Sequence, residues 1–244
     1  MPYVRHADAD PGARSAPGRI VRGLAYTTGT MILTVTGAGC GADRAPRVAA
    51  EPGLTAAVLS EQDMPADYLP AESTAVFRGV RPAGRACGKL LALGDVRDPG
   101  AAPHAAAAFY QVDPGGAMVE HLLQIAPGRA HEYITAARRA AARCRRLTVR
   151  TKGHTMRLRQ RPTGTRQVGE ESYHVRYAGR VGGRHRFHLD MLLARVADRL
   201  LIMANVALLP AGADRDLVSQ LADRAIGKLE RGRPGAVDKL IRRE

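Results

Sequence analysis

The stretch from Glu170 to Leu209 constrains the fold most strongly, because the character of its side chains follows the period of a β-strand. Odd positions from Phe187 to Leu193 are apolar while the even positions begin with the polar residues Arg186, His188 and Asp190, a period of two that predicts a half-buried strand. The following run is more uniformly apolar and predicts a central strand. A two-residue turn at Ala197-Asp198 and a three-residue loop at 182–184 align the apolar faces of three antiparallel strands. The predicted neighbours are Leu193 with Ile202, Met191 with Ala204, Leu189 with Val206, Tyr177 with Leu189, Val175 with Met191, Tyr173 with Leu193 and, on the other face, Arg176 with Asp190.

The remaining elements follow from periodicity and turn residues. Asp113-Pro-Gly-Gly116 is a strong turn signal and predicts a hairpin. Pro127 opens an Ala-rich segment that predicts the clearest helix of the chain, and a final amphipathic helix has Asp214 as a candidate N-cap. The predicted helices are 54–64, which stops before Pro65, 83–94, 130–146 and 214–230, and the predicted strands outside the meander are 73–80, 105–112, 118–125, 147–152 and 154–161.

The first 39 residues have the features of an export signal. Four arginines precede a short apolar run, and small residues lead directly into Cys40. This arrangement resembles the lipobox of bacterial lipoproteins, although Gly37 stands where an aliphatic residue is usual. The resemblance implies transfer of a diacylglycerol, with palmitate among its acyl chains, to the thiol of Cys40 and cleavage just before it, which would anchor the protein on the outer face of the membrane. The alternative is a short buried helix with a core cysteine. Residues 40–53 predict a flexible tether.

The two other cysteines, Cys87 and Cys144, lie on different predicted helices. If the chain is exported, we expect them to form a disulfide, since the space outside the membrane is oxidising. In a cytosolic protein they would instead be two independent buried thiols.

A net charge of +14 favours polyanionic partners, although it also serves solubility. The basic residues crowd two neighbouring predicted strands, where arginines alternate with other residues and form one positive face. Guanidinium groups in this arrangement suit bidentate phosphate binding. The anion-binding candidates are Arg150, Lys152, Arg157, Arg159 and Arg161.

The sequence contains no recognisable catalytic or cofactor motif. It has no Walker loop, no Gly-x-Ser-x-Gly elbow and no Rossmann fingerprint. Glu170 and Glu171 are adjacent, so on a strand they point to opposite faces and cannot act as a carboxylate pair. His185 and His188 likewise point apart, and the other histidines are scattered. We therefore predict no catalytic site, metal or cofactor.

Five short segments form a recognisable combination: Leu54 to Pro65, Cys87 with Leu90-Leu91, the Ala-rich helix ending at Cys144, Val168-Gly-Glu-Glu-Ser172, and Ala194 to Leu201. Together they resemble the PknH-like extracellular sensor domain found in actinobacterial kinases and lipoproteins. The resemblance implies an α/β (α+β) domain over residues 54–231, in which helices pack on a twisted antiparallel sheet and a cleft binds an unidentified small ligand. It brings no catalytic residues, and residues 232–244 remain as a basic tail. We therefore expect a lipid-anchored, non-enzymatic sensor or ligand-binding lipoprotein whose basic face contacts lipid headgroups or an anionic wall polymer. The alternative is a nucleic-acid-binding protein that uses the face from Arg150 to Arg166.

Overall fold

The computed structural model describes residues 52–77, 80–96, 102–113, 115–151, 154–164, 167–181, 185–209 and 216–231. The helices are α1 Pro52–Ala57, α2 Arg85–Gly94, α3 Pro127–Arg143 and α4 Leu217–Arg231, with a 3-10 turn at Glu61–Asp63. The strands are β1 Tyr68–Pro70, β2 Arg81–Pro82, β3 His104–Gln111, β4 Gly116–Gln124, β5 Arg146–Thr151, β6 His154–Arg161, β7 Glu171–Val181, β8 His185–Val196 and β9 Arg199–Leu209.

Within these ranges the strands form one antiparallel sheet of nine strands, in the order β1-β3-β4-β9-β8-β7-β6-β5-β2. Helices cover both faces. α2 and α3 bury one face together with residues such as Tyr177, Leu189 and Met191. α1 and α4 bury the other face over Leu122 and Met203. The predicted fold class, a mixed α and β domain with helices on an antiparallel sheet, is confirmed.

The meander has the predicted register in all seven named pairs. Leu193 lies opposite Ile202, and Tyr177 lies opposite Leu189. Arg176 lies opposite Asp190, and its Nε donates a hydrogen bond of 2.6 Å to Asp190 Oδ1. The turn at Ala197-Asp198 is also present, because β8 ends at Val196 and β9 begins at Arg199. The predicted loop 182–184 lies outside the described residues.

Two predicted elements are wrong. Residues 73–77 form no strand, because the Phe77 amide donates to Asp95 Oδ1 at 2.9 Å and directs the aromatic ring into the core beside α2. The segment predicted as one helix over 54–64 instead forms the short α1 followed by a separate 3-10 turn. The two segments separate because the Ser60 amide and hydroxyl both donate to Asp63, while the Leu59 amide donates to a buried carboxylate of β4.

The boundaries of the other helices differ slightly from prediction. α3 ends at Arg143 instead of at residue 146, because Cys144 leaves the helix and Arg146 already pairs in β5. The last helix begins at Leu217, and the candidate N-cap Asp214 lies outside the described residues. The hairpin of β3 and β4 and the pair of β5 and β6 are confirmed.

Candidate functional site

The α2–α3 groove is an open cavity between the two helices on one face of the sheet. Its volume is about 780 Å³, which lies within the range of roughly 300–1,000 Å³ typical of small-molecule sites. A disulfide between Cys87 of α2 and Cys144, directly after α3, joins the two helices. The groove is lined by Arg85, Ala86, Lys89, Ala92, Leu93, Val96, Tyr133, Ala136, Arg139, Ala140 and Arg143.

The groove exists because the facing positions of the helices carry small residues. Ala136 and Ala140 lie one turn apart on α3, and Ala92 lies on α2, so no large side chain fills the space between the helices. Leu93, Val96 and Tyr133 supply apolar and aromatic surface. The cavity wall is therefore mainly apolar while remaining open to solvent, an arrangement that suits an apolar ligand.

Four cations surround this apolar wall. Arg85 and Lys89 are one helical turn apart on α2, and Arg139 and Arg143 are one turn apart on α3. All four side chains are exposed, and none forms an ion pair with an acidic residue within the described ranges. Within the described ranges, the rim therefore offers four cations to an anionic group at the mouth of the groove.

The groove offers binding groups but no obvious catalytic machinery. Among its described lining residues there is no histidine, cysteine, serine or carboxylate that would act as a nucleophile or general base. In the part of the chain that the structure describes, no cluster of His, Cys, Asp and Glu side chains is arranged to hold a metal ion. No helix in the described ranges is both long and apolar enough to cross a membrane.

The predicted anion-binding residues lie elsewhere. Arg157, Arg159 and Arg161 are exposed on β6, on the face of the sheet opposite to α2 and α3. The side chain of Arg150, all of Lys152 and the lipidation candidate Cys40 lie outside what the structure describes. A shallow cleft of about 400 Å³ is lined by Arg145, Arg146, Arg159, Gln160, Arg161 and Pro162.

Two buried polar groups were not singled out from the sequence. Glu120 on β4 is fully buried, and burial raises the pKa of its carboxyl to about 7. Its neighbour His121 points to the other face, where its Nδ1 lies 3.0 Å from His104 Nε2. Burial, followed by the charge of His104, lowers the pKa of His121 to about 3, so the imidazole is neutral near pH 7. The sequence predicted that Glu120 and His121 lie in a strand and so point to opposite faces. It could not show that both are buried, because their burial depends on segments distant in the sequence that pack on the sheet.

Comparison with known proteins gives structural likeness only. No family model matches the chain, and no curated protein matches it in sequence. The extracellular domain of PknH from Mycobacterium tuberculosis is 10% identical, with a TM-score of 0.43 over 71% of this chain and 97% of that chain. The Rv0999 ortholog from Mycobacterium smegmatis has a TM-score of 0.35 at 10% identity, covering 69% and 92%. CalU16 from Micromonospora echinospora has a TM-score of 0.27 at 10% identity, covering 57% and 89%.

Proposed function

We propose that this protein is a lipid-anchored extracytoplasmic domain that binds an anionic amphiphile in the α2–α3 groove without transforming it. The ligand class is a single acyl chain or similar apolar body that ends in a carboxylate, sulfate or phosphate. The observation that carries the proposal is an open, mainly apolar cavity bordered by four cations with no acidic partner in the described ranges.

The two parts of the groove match the two parts of such a ligand. The apolar portion gains free energy by leaving water against Leu93, Val96 and Tyr133. The acidic portion gains charge-assisted hydrogen bonds from guanidinium groups such as Arg139 and Arg143 at the mouth. A neutral apolar molecule would use only the first contribution, so the groove favours an acidic amphiphile over its neutral analogue.

The extracytoplasmic location has support from two separate parts of the chain. The leader that ends at Cys40 has the order of regions expected for a lipoprotein signal. The disulfide between Cys87 and Cys144 is typical of proteins outside the reducing cytosol. Radiolabelled palmitate should label the wild type and not Cys40→Ala, and a high-salt wash, which removes electrostatic attachment, should release the variant but not the wild type from the membrane fraction. A wild type that is unlabelled and not membrane-bound would contradict the anchor.

Binding in the groove is tested with 1-anilinonaphthalene-8-sulfonate, a fluorescent anionic amphiphile, titrated into the purified full chain. Ala136→Trp places an indole in the groove and should weaken saturable binding at least tenfold. Ala142→Trp is the matched control, because Ala142 is exposed on the same helix and does not line the groove. The control should bind the dye as the wild type does, including any dye held by the leader.

A second variant distinguishes a blocked groove from unfolding of α3 by the introduced indole. Arg139→Glu with Arg143→Glu changes two exposed side chains, so the fold should persist, as circular dichroism would show. The reversed charges should weaken binding of the sulfonate dye while leaving binding of a neutral apolar dye, Nile red, nearly unchanged. Equal sulfonate-dye affinity in the wild type and in both groove variants would refute the proposed site.

A further inference from the structure

Six arginines form a second feature, on the face of the sheet that α2 and α3 do not cover. This set, which we term the arginine face, spans four adjacent strands, β5 to β8. Strand pairing places its members on one side, because Arg159 lies opposite Ala178 and the directly opposed pairs share a face. Five of the six side chains are exposed, and Arg186 is half-buried. The arginine face consists of Arg146, Arg157, Arg159, Arg161, Arg180 and Arg186.

The strand register forces like charges together on this face. Arg146 lies directly opposite Arg159, and Arg180 lies directly opposite Arg186. Side chains directly opposite on neighbouring strands start only about 5 Å apart at Cβ, so like charges in these positions destabilise the sheet. These two pairs of like charges lower the stability of the sheet, and pairing of the strands does not depend on arginine at these positions.

The arginine face has no acidic partner among the residues that the structure describes. None of the six forms an ion pair with an acidic side chain in the described part of the chain. Arg176, on the same face, shows the contrast: its guanidinium is 2.6 Å from Asp190 and 3.1 Å from Asp216. Within the described ranges, the positive charge of the arginine face is therefore unbalanced, and anions from outside the chain would balance it.

The spacing of the arginines suits many phosphates side by side. Neighbouring strands are about 4.8 Å apart and alternate residues about 6.7 Å apart, so the guanidinium groups form a two-dimensional array. The shallow cleft between Arg146, Arg159 and Arg161 gives one point at which a phosphate group can be held from several sides. An array of this kind is complementary to a surface of anionic groups.

We propose that the arginine face, on the part of this side of the sheet that α1 and α4 leave exposed, docks this domain onto a surface of anionic phospholipids. Single-stranded nucleic acid fits less well, because the aromatic side chains Tyr68 and Phe109 on this side of the described sheet are buried and not exposed for stacking on bases. Tyr173, Tyr177 and Phe187 all belong to the opposite face. The disulfide between Cys87 and Cys144 also indicates a compartment in which a membrane, and not nucleic acid, is the usual polyanionic surface. This inference uses none of the residues of the α2–α3 groove.

The test is co-sedimentation of the full chain with vesicles of phosphatidylcholine alone or with 30 mol% phosphatidylglycerol. Arg157→Gln with Arg159→Gln should reduce partitioning to the anionic vesicles by roughly 30-fold, about fivefold for each arginine near a charged surface. Arg129→Gln with Arg138→Gln is the control, since it removes the same charge from α3 on the other side of the sheet. The control should lose far less, and any contribution of the basic leader is equal in all variants.

Several outcomes overturn the proposal. One is equal partitioning of the two double variants into anionic vesicles. Another is tighter binding of the wild type to duplex DNA or to soluble polyphosphate than to vesicles at the same salt concentration, with that binding lost in Arg157→Gln with Arg159→Gln. Retained dye binding by this variant confirms that it is folded. It also separates failure of the docking surface from failure of the α2–α3 groove.

Discussion

Glu120 makes the stability of this protein depend on pH in an unusual direction. The side chain is fully buried on β4 between the sheet and α1. Its Oε2 accepts a hydrogen bond of 2.6 Å from the Leu59 amide, while its Oε1 has no hydrogen-bond partner among the described residues. Burial raises the pKa of this carboxyl from 4.5 to about 7, against smaller lowering contributions from the Leu59 amide and Lys228. The folded protein therefore holds a proton that the unfolded chain releases.

The size of the effect follows from this displacement of the pKa. Between pH 4.5 and about 7 the folded state binds more protons at Glu120 than the unfolded state does, so the free energy of unfolding falls as the pH rises. At roughly 1.4 kcal/mol for each pH unit, the loss approaches about 3 kcal/mol and is complete above the folded-state pKa. Glu120→Gln keeps the shape of the protonated side chain and cannot ionise. Its stability relative to the wild type should increase by about 3 kcal/mol between pH 4 and pH 8.

Urea unfolding of both proteins at half-unit steps of pH measures this difference, and subtraction cancels the titration of every other group. Glu132→Gln is the matched control, because Glu132 lies on the surface of α3 with a side chain 68% exposed. Its difference from the wild type should change by no more than a few tenths of a kcal/mol. A difference curve for Glu120→Gln that is as flat as that of the control would refute the reasoning.

Two further predictions concern the scaffold. Replacing both Cys87 and Cys144 by Ala opens a cross-link over a separation of 57 residues and should lower the free energy of unfolding by about 4 kcal/mol; an unchanged urea midpoint would contradict this. A Cβ at Gly179 would lie 2.5 Å from the Arg157 carbonyl oxygen, whereas one at Gly164 would meet nothing within 4 Å. Gly179→Ala should therefore cost about 1–3 kcal/mol and lower the melting temperature, and Gly164→Ala should not. Equal melting temperatures for these two glycine variants would contradict this prediction, because they would show that the strands move apart to accommodate the methyl group without loss of stability.

The meander was predictable because its apolar period and its turn act over short distances. A shift of the register by one residue would have exposed the apolar side chains of β8, including Leu189 and Met191, to water. Only one register therefore kept the apolar side chains buried. The strand predicted at 73–80 failed for the opposite reason. The conformation of Phe77 is set by Asp95, which is 18 residues away, and no local pattern carries that information.

The candidate sites were also only partly predictable from local sequence patterns. Alternation alone identified Arg157, Arg159 and Arg161 as one face, but bringing Arg180 and Arg186 onto it required the order of the strands. The α2–α3 groove was not predicted, because its alanines look like ordinary helix-forming residues until two helices distant in the sequence are seen side by side. Cys87 and Cys144 were the one signal that the two helices meet, and the disulfide is present.

Mapping where an amphiphile attaches tests the central claim most directly. Dodecanoic acid carrying a terminal diazirine would be added to the full chain, photoactivated, and located by peptide mass spectrometry. We predict cross-links concentrated on Leu93, Tyr133 and Ala136, reduced at least tenfold in Ala136→Trp and unaffected in Ala142→Trp. Cross-links spread evenly over the surface, or confined to α4 and the arginine face, would contradict a ligand site between α2 and α3.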